Sequence, residues 1–488
     1  MTDNQSPLLK KAERRNSRNG LRIPRKGRIR IAVLLTGAVL FYKFAVSKEG
    51  AQTGSSLQNS TKAVFEAPVE QSKTVVDSMK EKAATGKAPR LRLPFVGPRE
   101  LTRNDIAEIL IDHRPNLNNA GDTLKSNGRR LAIHYSIDSV VQNYAKRLFV
   151  RYHPMYGAAV AVHPSTGRVL ALVSYTNPES EPIAHDLYNK CLFPAASVIK
   201  LVTAAGAVEM GKLNSSSQIR AVGRNHTLYK SQLTPNPSQY RDISLRDAFA
   251  YSINPTFGRL GIYILKSMGL QEYGEKFGFN APIPFDLPTE TPIMSVADSN
   301  FAIAEIASGF NQRTLISPLF GALLASAVPA GGCMPTPFLV DSAVDVTTGE
   351  NVYTAKPRLW RKPVTEKTAE TLSDLMESVA RYGTARKAFR YIKSSRRFDD
   401  IEYGGKTGNV NRDSLGRVDW FVGFAHHPID EKQRIAVGVV TVHGPYWTVH
   451  SSYLGAEIMR KHIRTIQINA EKALQAEKNK EKEDPSAS

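Results

Sequence analysis

Two strand-rich groups at opposite ends of one domain constrain this chain most. Near its start, GAAVAVHPSTGRVLALVSY places two β-rich runs around a Ser/Thr/Gly turn and reads as a hairpin. Far downstream, IEYGGKTGNV, VDWFVGFAHH and RIAVGVVTVHG read as three further strands joined by short turns. Between the groups the pattern is mostly helical. Strands that must find partners across such a gap predict an α/β domain, with one sheet assembled from distant segments and helices packed on it. An apolar fraction of 41% supplies enough material for its core.

The helical stretch contains an apparent contradiction. FPAASVIKLVTAAGAVEMG, Phe193 to Gly211, is apolar around nearly its whole circumference, with Pro194 where a helix begins and Gly211 where it would end. It nevertheless carries Lys200. A buried, unpaired ammonium costs several kcal/mol even after relaxation, on the order of a whole domain's margin. Residues three apart share a helix face, so Lys200 can reach back to the hydroxyl of Ser197. A serine is a poor nucleophile until a base takes its proton, and an amine serves when burial and a neighbouring cation lower its pKa. Burial of Lys200 is then the device that makes it a base.

Ser-x-x-Lys alone is a weak signal, although it occurs once here. Two other constellations accompany it. AYSINPTFGRLG carries Ser252 and Asn254, a hydroxyl and an amide able to relay a proton and hold a substrate amide; alone, the pair reads equally as a helix-to-loop cap. GGKTGNV carries Lys406, Thr407, Gly408 and Asn409 on an apparent strand. There a cation and a hydroxyl flank backbone that a ligand can approach closely, and an extended peptide with a terminal carboxylate can add along the edge. The same residues could form an ordinary hairpin with a surface lysine. Lys406 is also the second cation that the chemistry of Lys200 requires.

The three motifs, in this order, resemble those of the penicillin-recognising active-site serine enzymes. SIDSVVQNYA, SPLFGALLASAVPAGG, Tyr382-Gly383-Thr384-Ala385 and DWFVGFA are similar to other parts of a penicillin-binding transpeptidase domain, and the resemblance spans residues 129–465. It implies a β-lactamase/transpeptidase-like α/β fold, an antiparallel sheet flanked by helices plus a mostly helical subdomain. By that resemblance Ser197 attacks the carbonyl between the terminal D-alanines of a peptidoglycan stem peptide and Lys200 takes its proton. Ser252 carries a proton to the leaving D-alanine, Asn254 binds the peptide backbone, and Lys406 with Thr407 holds the carboxylate. The N–H groups of Ser197 and Asn409 form the oxyanion hole. The acyl group passes to an amine of a neighbouring stem, and a β-lactam acylates the same serine and stays. No cofactor and no metal is implied.

Asn409 departs from the family pattern, which has Thr or Ser there. An amide still donates a hydrogen bond, so altered substrate or drug affinity is expected, with the chemistry kept. A D,D-carboxypeptidase uses the same residues, with water as acceptor. A catalytically silent scaffold docking other cell-wall synthesis membrane proteins is the alternative from another class. A β-lactamase is the weaker reading, since no separate carboxylate is assignable to water activation.

Charge and hydropathy bear on location. The formal charge is +20, but a nucleic-acid partner is not implied, because much of the excess sits in residues 1–28. IRIAVLLTGAVLFYKFAV, residues 29–46, follows, and with Arg30 and Lys43 reaching to the interfaces it extends roughly 27 Å, about one hydrocarbon core. One transmembrane helix is expected, with the N-terminus cytoplasmic and the rest periplasmic, anchored to the inner membrane. A cleaved signal peptide is the competing reading, opposed by the long basic leader. Residues 47–128 read as a stalk and small pedestal, too short for a glycosyltransferase domain, so the chain resembles a monofunctional class B enzyme. Residues 129–466 form the transpeptidase domain, and 467–488 a solvated tail, helical at its start and then disordered. Cys191 and Cys333 lack metal-ligand spacing and are read as two buried thiols, a pairing being the other reading. His426 and His427 are read as exposed strand-end residues.

Overall fold

The computed structural model describes residues 100–483, apart from 235, 236, 297 and 413. The described residues fall within one compact unit. The expected basic tail, membrane span and most of the stalk lie outside the described residues. Among those described, no helix is long and apolar enough to cross a membrane.

In chain order the elements that position the site are α1 (Ser139–Tyr152), β1 (Tyr156–Val162), β2 (Val169–Thr176), α2 (Lys200–Gly211), α3 (Leu245–Ala250), α4 (Asn254–Leu260), α5 (Asn300–Ser308), α6 (Pro318–Ser326), α7 (Glu366–Arg381), β3 (Glu402–Arg412), β4 (Gly416–His426), β5 (Arg434–His443) and α8 (Ser451–Glu483). The five strands form one sheet in the order β3-β4-β5-β1-β2, antiparallel throughout. The two distant strand groups therefore meet where β5 pairs β1, with Val439 opposite Ala159. The matches end to end explain the sequence pattern: β1 is buried at every position and β5 at all but its first, so both read as continuous apolar runs without alternation.

The sheet has two covered faces. Gly404, Lys406 and Gly408 of β3 share a face with Trp420 and Val422 of β4, because paired residues point the same way. That face meets α6 and α7, since Gly321 of α6 packs on Val422 and Gly404 on Met376 of α7. Thr407, Asn409, Asp419 and Phe421 point to the other face, where Gly455 of α8 lies against Phe421. β3 is an edge strand, so one side of its backbone is left for a ligand.

Several local expectations are revised. Pro194 does not open the helix: Phe193–Pro194 pairs with Leu315–Ile316, and a 3-10 turn over Ala196–Ile199 precedes α2. Gly211 is the last residue of α2, and Lys212 takes the left-handed conformation after it. The Gly/Asn-rich connection before residue 129 contains a strand, Gly121–Ser126, paired with Arg129–Tyr135. The tail does not become irregular soon after 467, because α8 runs on to Glu483; its Ala, Glu, Lys and Gln residues have high helix propensity and need no packing to favour that state. His426 is only 12% exposed and sits 3.2 Å from Glu402. Both cysteines are free thiols, but only Cys191 is buried, Cys333 being partly exposed.

Candidate active site

The turn before α2 presents Ser197 and buries Lys200. Ala196 adopts φ 46°, a costly conformation for a residue with a Cβ, directly before the serine. Two neighbours hold this turn. Gly309, itself at φ 75°, lies against the Ala196 carbonyl so closely that any side chain would collide with it. From the other side, the bare α-carbon of Gly408 faces the backbone nitrogens of Ser197 and Val198. Trp420 donates its indole N–H to Pro194 O at 2.8 Å and anchors the approach to the turn.

Lys200 has no exposed surface. Its Nζ lies 2.7 Å from Ser197 Oγ, 2.7 Å from Asn254 Oδ1 and 2.5 Å from the Ser308 carbonyl oxygen. Burial, and then the charge of Lys406, hold its pKa well below the usual lysine value. A neutral amine has two N–H donors and one lone pair. Asn254 Oδ1 and Ser308 O can only accept, so they take both hydrogens and the lone pair is left for the Ser197 hydroxyl.

Lys406 is likewise fully buried and donates to Ser252 Oγ at 2.9 Å and to Thr407 O at 2.8 Å. Burial lowers its pKa to about 7. Ser252 is held at φ 55° between α3 and α4, and Asn254 opens α4, so the short link between these helices sets both side chains against the lysines. Thr407 shares a 2.6 Å hydroxyl contact with Thr384. Ser197, Ser252, Asn254, Thr407, Gly408 and Asn409 line one open cleft of about 1340 Å³, with the two lysine amines buried next to Ser197 and Ser252.

The structure thus brings all eight sequence-selected residues to one place. It adds several that sequence reasoning did not select. The Ser308 carbonyl had no signal, because a backbone acceptor has no residue signature. Thr384 stood within a segment already noted for its resemblance. His226, whose pKa is lowered by burial and by both lysines, and the pair Asp419 and His450 also line the cleft. Among the described residues no cluster of His, Cys, Asp and Glu is suited to a metal ion.

The penicillin binding protein transpeptidase domain family matches residues 157–464. Stage V sporulation protein D of Bacillus subtilis is 25% identical over 348 residues, covering 65% of this chain and 50% of that protein. Peptidoglycan D,D-transpeptidase PbpA of Mycobacterium tuberculosis is 26% identical over 326 residues, covering 60% and 63%. The chain therefore spans half to under two thirds of the length of these curated relatives. Among solved structures, the D,D-transpeptidase domain of a peptidoglycan glycosyltransferase from Eggerthella lenta aligns with TM-score 0.58 at 24% identity, over 71% of this chain and 86% of that one. Penicillin-binding protein A of M. tuberculosis as an imipenem acyl-enzyme complex aligns with TM-score 0.55 at 23% identity, over 69% and 80%. These likenesses establish the fold.

Proposed function

This chain belongs to the penicillin-binding protein transpeptidase family, and from that premise we propose that it is a serine D,D-transpeptidase of peptidoglycan, acylated and inhibited by β-lactams. The observation that carries the reading is the saturation of Lys200: two pure acceptors consume its hydrogens and leave its lone pair on Ser197.

In this reading Ser197 Oγ attacks the carbonyl between the terminal D-alanines of a stem peptide while its proton passes to Lys200 Nζ. The peptide lies along the open edge of β3, its terminal carboxylate at Lys406, Thr407 and Asn409, and its backbone amide at Asn254. Negative charge developing on the carbonyl oxygen meets the N–H groups of Ser197 and Asn409. One such fixed donor can matter by ~10²–10³ in rate. As the tetrahedral intermediate collapses, the C–N bond breaks and the departing D-alanine nitrogen takes a proton through the Ser252 hydroxyl. The proton that Lys200 took from Ser197 is passed on to the Ser252 oxygen, and the amine is neutral again. An amine of a second stem then attacks the ester carbonyl, Lys200 takes its proton and returns it to Ser197 Oγ as the ester C–O bond breaks, and the serine is regenerated. The N-terminal span, if it inserts as its hydropathy implies, places this chemistry outside the cytoplasmic membrane.

The test is labelling of the protein by a fluorescent penicillin, with the adduct located by intact-mass and peptide mass spectrometry. Stable label on Ser197, lost in Ser197→Ala, supports the reading. A chain that stays dark is a scaffold, and rapid loss of label marks a β-lactamase. A donor peptide with an added amine separates crosslinking from trimming by its product.

A further inference from the structure

The cleft has a second wall that the acylation chemistry does not use. His450 stands immediately before α8 and lines the cleft, its Nδ1 3.8 Å from Asp419 Oδ2. Its side chain is 66% exposed, whereas that of Asp419 is 7% exposed. Asp419 lies directly opposite Asn409 in the β3–β4 pairing, on the face that also carries Thr407. Gly408 and the Ser197 turn lie toward the opposite face. His450 therefore sits beside the side chains of Thr407 and Asn409, away from the acyl carbonyl.

The charges of this wall do not cancel. Asp419 Oδ2 accepts the backbone N–H of Ser451 at 2.7 Å, so the carboxylate is engaged at the positive N-terminal end of α8. The exposed partner is the imidazole, and its Nε2 has no protein partner among the described residues. The ring of Trp447 packs at 4.6 Å between centroids and fixes its plane. The other charged or titratable groups interacting with His450 are Lys387 and His443, both cationic or neutral, and Arg417 stacks over the adjoining Trp447 ring. Asp419 is the one carboxylate among the described residues lining the cleft, which also carries Arg386 and Lys387.

We propose that His450, backed by Asp419, is a further recognition residue for the carboxylate held by Thr407 and Asn409, donating a charge-assisted hydrogen bond from Nε2 when the ring is protonated. This rests on the reading of the cleft as the seat of a carboxylate-ended acyl donor. It also gives Asn409 a context: the hydroxyl missing at that position is compensated by an imidazolium on the same face. Recognition by His450 weakens as pH rises through its titration, which Asp419 displaces upward from the ordinary histidine value.

The experiment compares the acylation of Ser197 in the full-length protein by penicillin G and by its methyl ester between pH 5 and 8.5, in wild type and His450→Gln. Because the His450 side chain is mostly exposed, this substitution leaves the core intact. The ratio of the two rates removes the common titration of Lys200, and Lys406 titrates in both proteins alike. Wild type is expected to favour the free acid about tenfold more at the acid end than His450→Gln does, the difference vanishing at high pH. The loss falls in the binding constant and spares the limiting acylation rate. Identical ratio curves in the two proteins, or an equal loss for acid and ester, overturn the inference while leaving the acyl-enzyme reading standing. A wild-type protein acylated by neither probe overturns that reading, and the inference with it.

Discussion

Gly309 lies against Ala196 so closely that a Cβ at residue 309 would stand 1.9 Å from the Ala196 carbonyl oxygen. The contact joins the end of α5 to the turn that presents Ser197, and the Ser308 carbonyl beside it accepts from Lys200. One short segment thus touches both the Ser197 turn and Lys200.

Gly309→Ala is expected to fold with a displaced serine turn. Both the collision and the φ of 75° oppose a side chain there. Acylation by penicillin should fall about 100-fold, the cost of a misplacement near 1 Å. Stopped-flow or quenched mass measurements of the acylation rate check this, with circular dichroism reporting the fold; an unchanged rate shows that the turn does not depend on Gly309.

The two buried lysines give the rate a bell-shaped pH dependence. On the acid side, acylation rises with pH as Lys200, whose pKa is depressed, gives up its proton. On the alkaline side it falls as Lys406 loses charge, from about 7 in the free protein and higher once a carboxylate is bound. A rate profile flat from pH 5 to 9 contradicts this arrangement.

The same shift makes stability depend on pH. Lys406 has a folded-state pKa of about 7 against an ordinary value of 10.5, so between those limits the unfolded chain binds more protons. Stability therefore rises with pH across that window, and the full penalty is present below it. Lys406→Met should flatten this slope. Denaturant midpoints at pH 7 and 10 for the two proteins measure the difference.

Thr384→Val removes the hydroxyl that orients Thr407 across 2.6 Å. Affinity for carboxylate-bearing β-lactams should fall about tenfold, in line with loss of one charge-assisted contact, while reaction with the methyl ester changes little. Equal losses for both would place Thr384 outside carboxylate recognition.

Trp420→Phe leaves the Pro194 carbonyl without its buried donor. The loss should cost ~1–3 kcal/mol in denaturant unfolding, more than the small change in apolar area accounts for. A variant as stable as wild type would mean that this carbonyl finds another partner.

Some of this molecule was legible in local pattern. The hairpin of β1 and β2 and the three strands β3 to β5 follow from β-rich runs bounded by turn residues, and α1 from helical spacing, since these are properties of neighbours in sequence. Ser197 and Lys200 are likewise local, three residues apart on one turn. What misled was Pro194, whose residue type suits a helix start but which is drawn into pairing with Leu315. Its neighbour in that pair lies far along the chain, and no local preference announces it.

By itself, then, the sequence singled out the side chains proposed to carry the chemistry and pointed to one lysine that must lose its water. Tertiary structure alone decided which atoms surround that amine, the Ser308 carbonyl and Asn254 Oδ1 among them, and that Asp419 stands opposite Asn409 with His450 beside it. The physical reason is that residue type and spacing encode periodicity and reactivity, whereas a lone pair is aimed by acceptors brought in from other segments. Those positions follow only from how the sheet and helices close on one another.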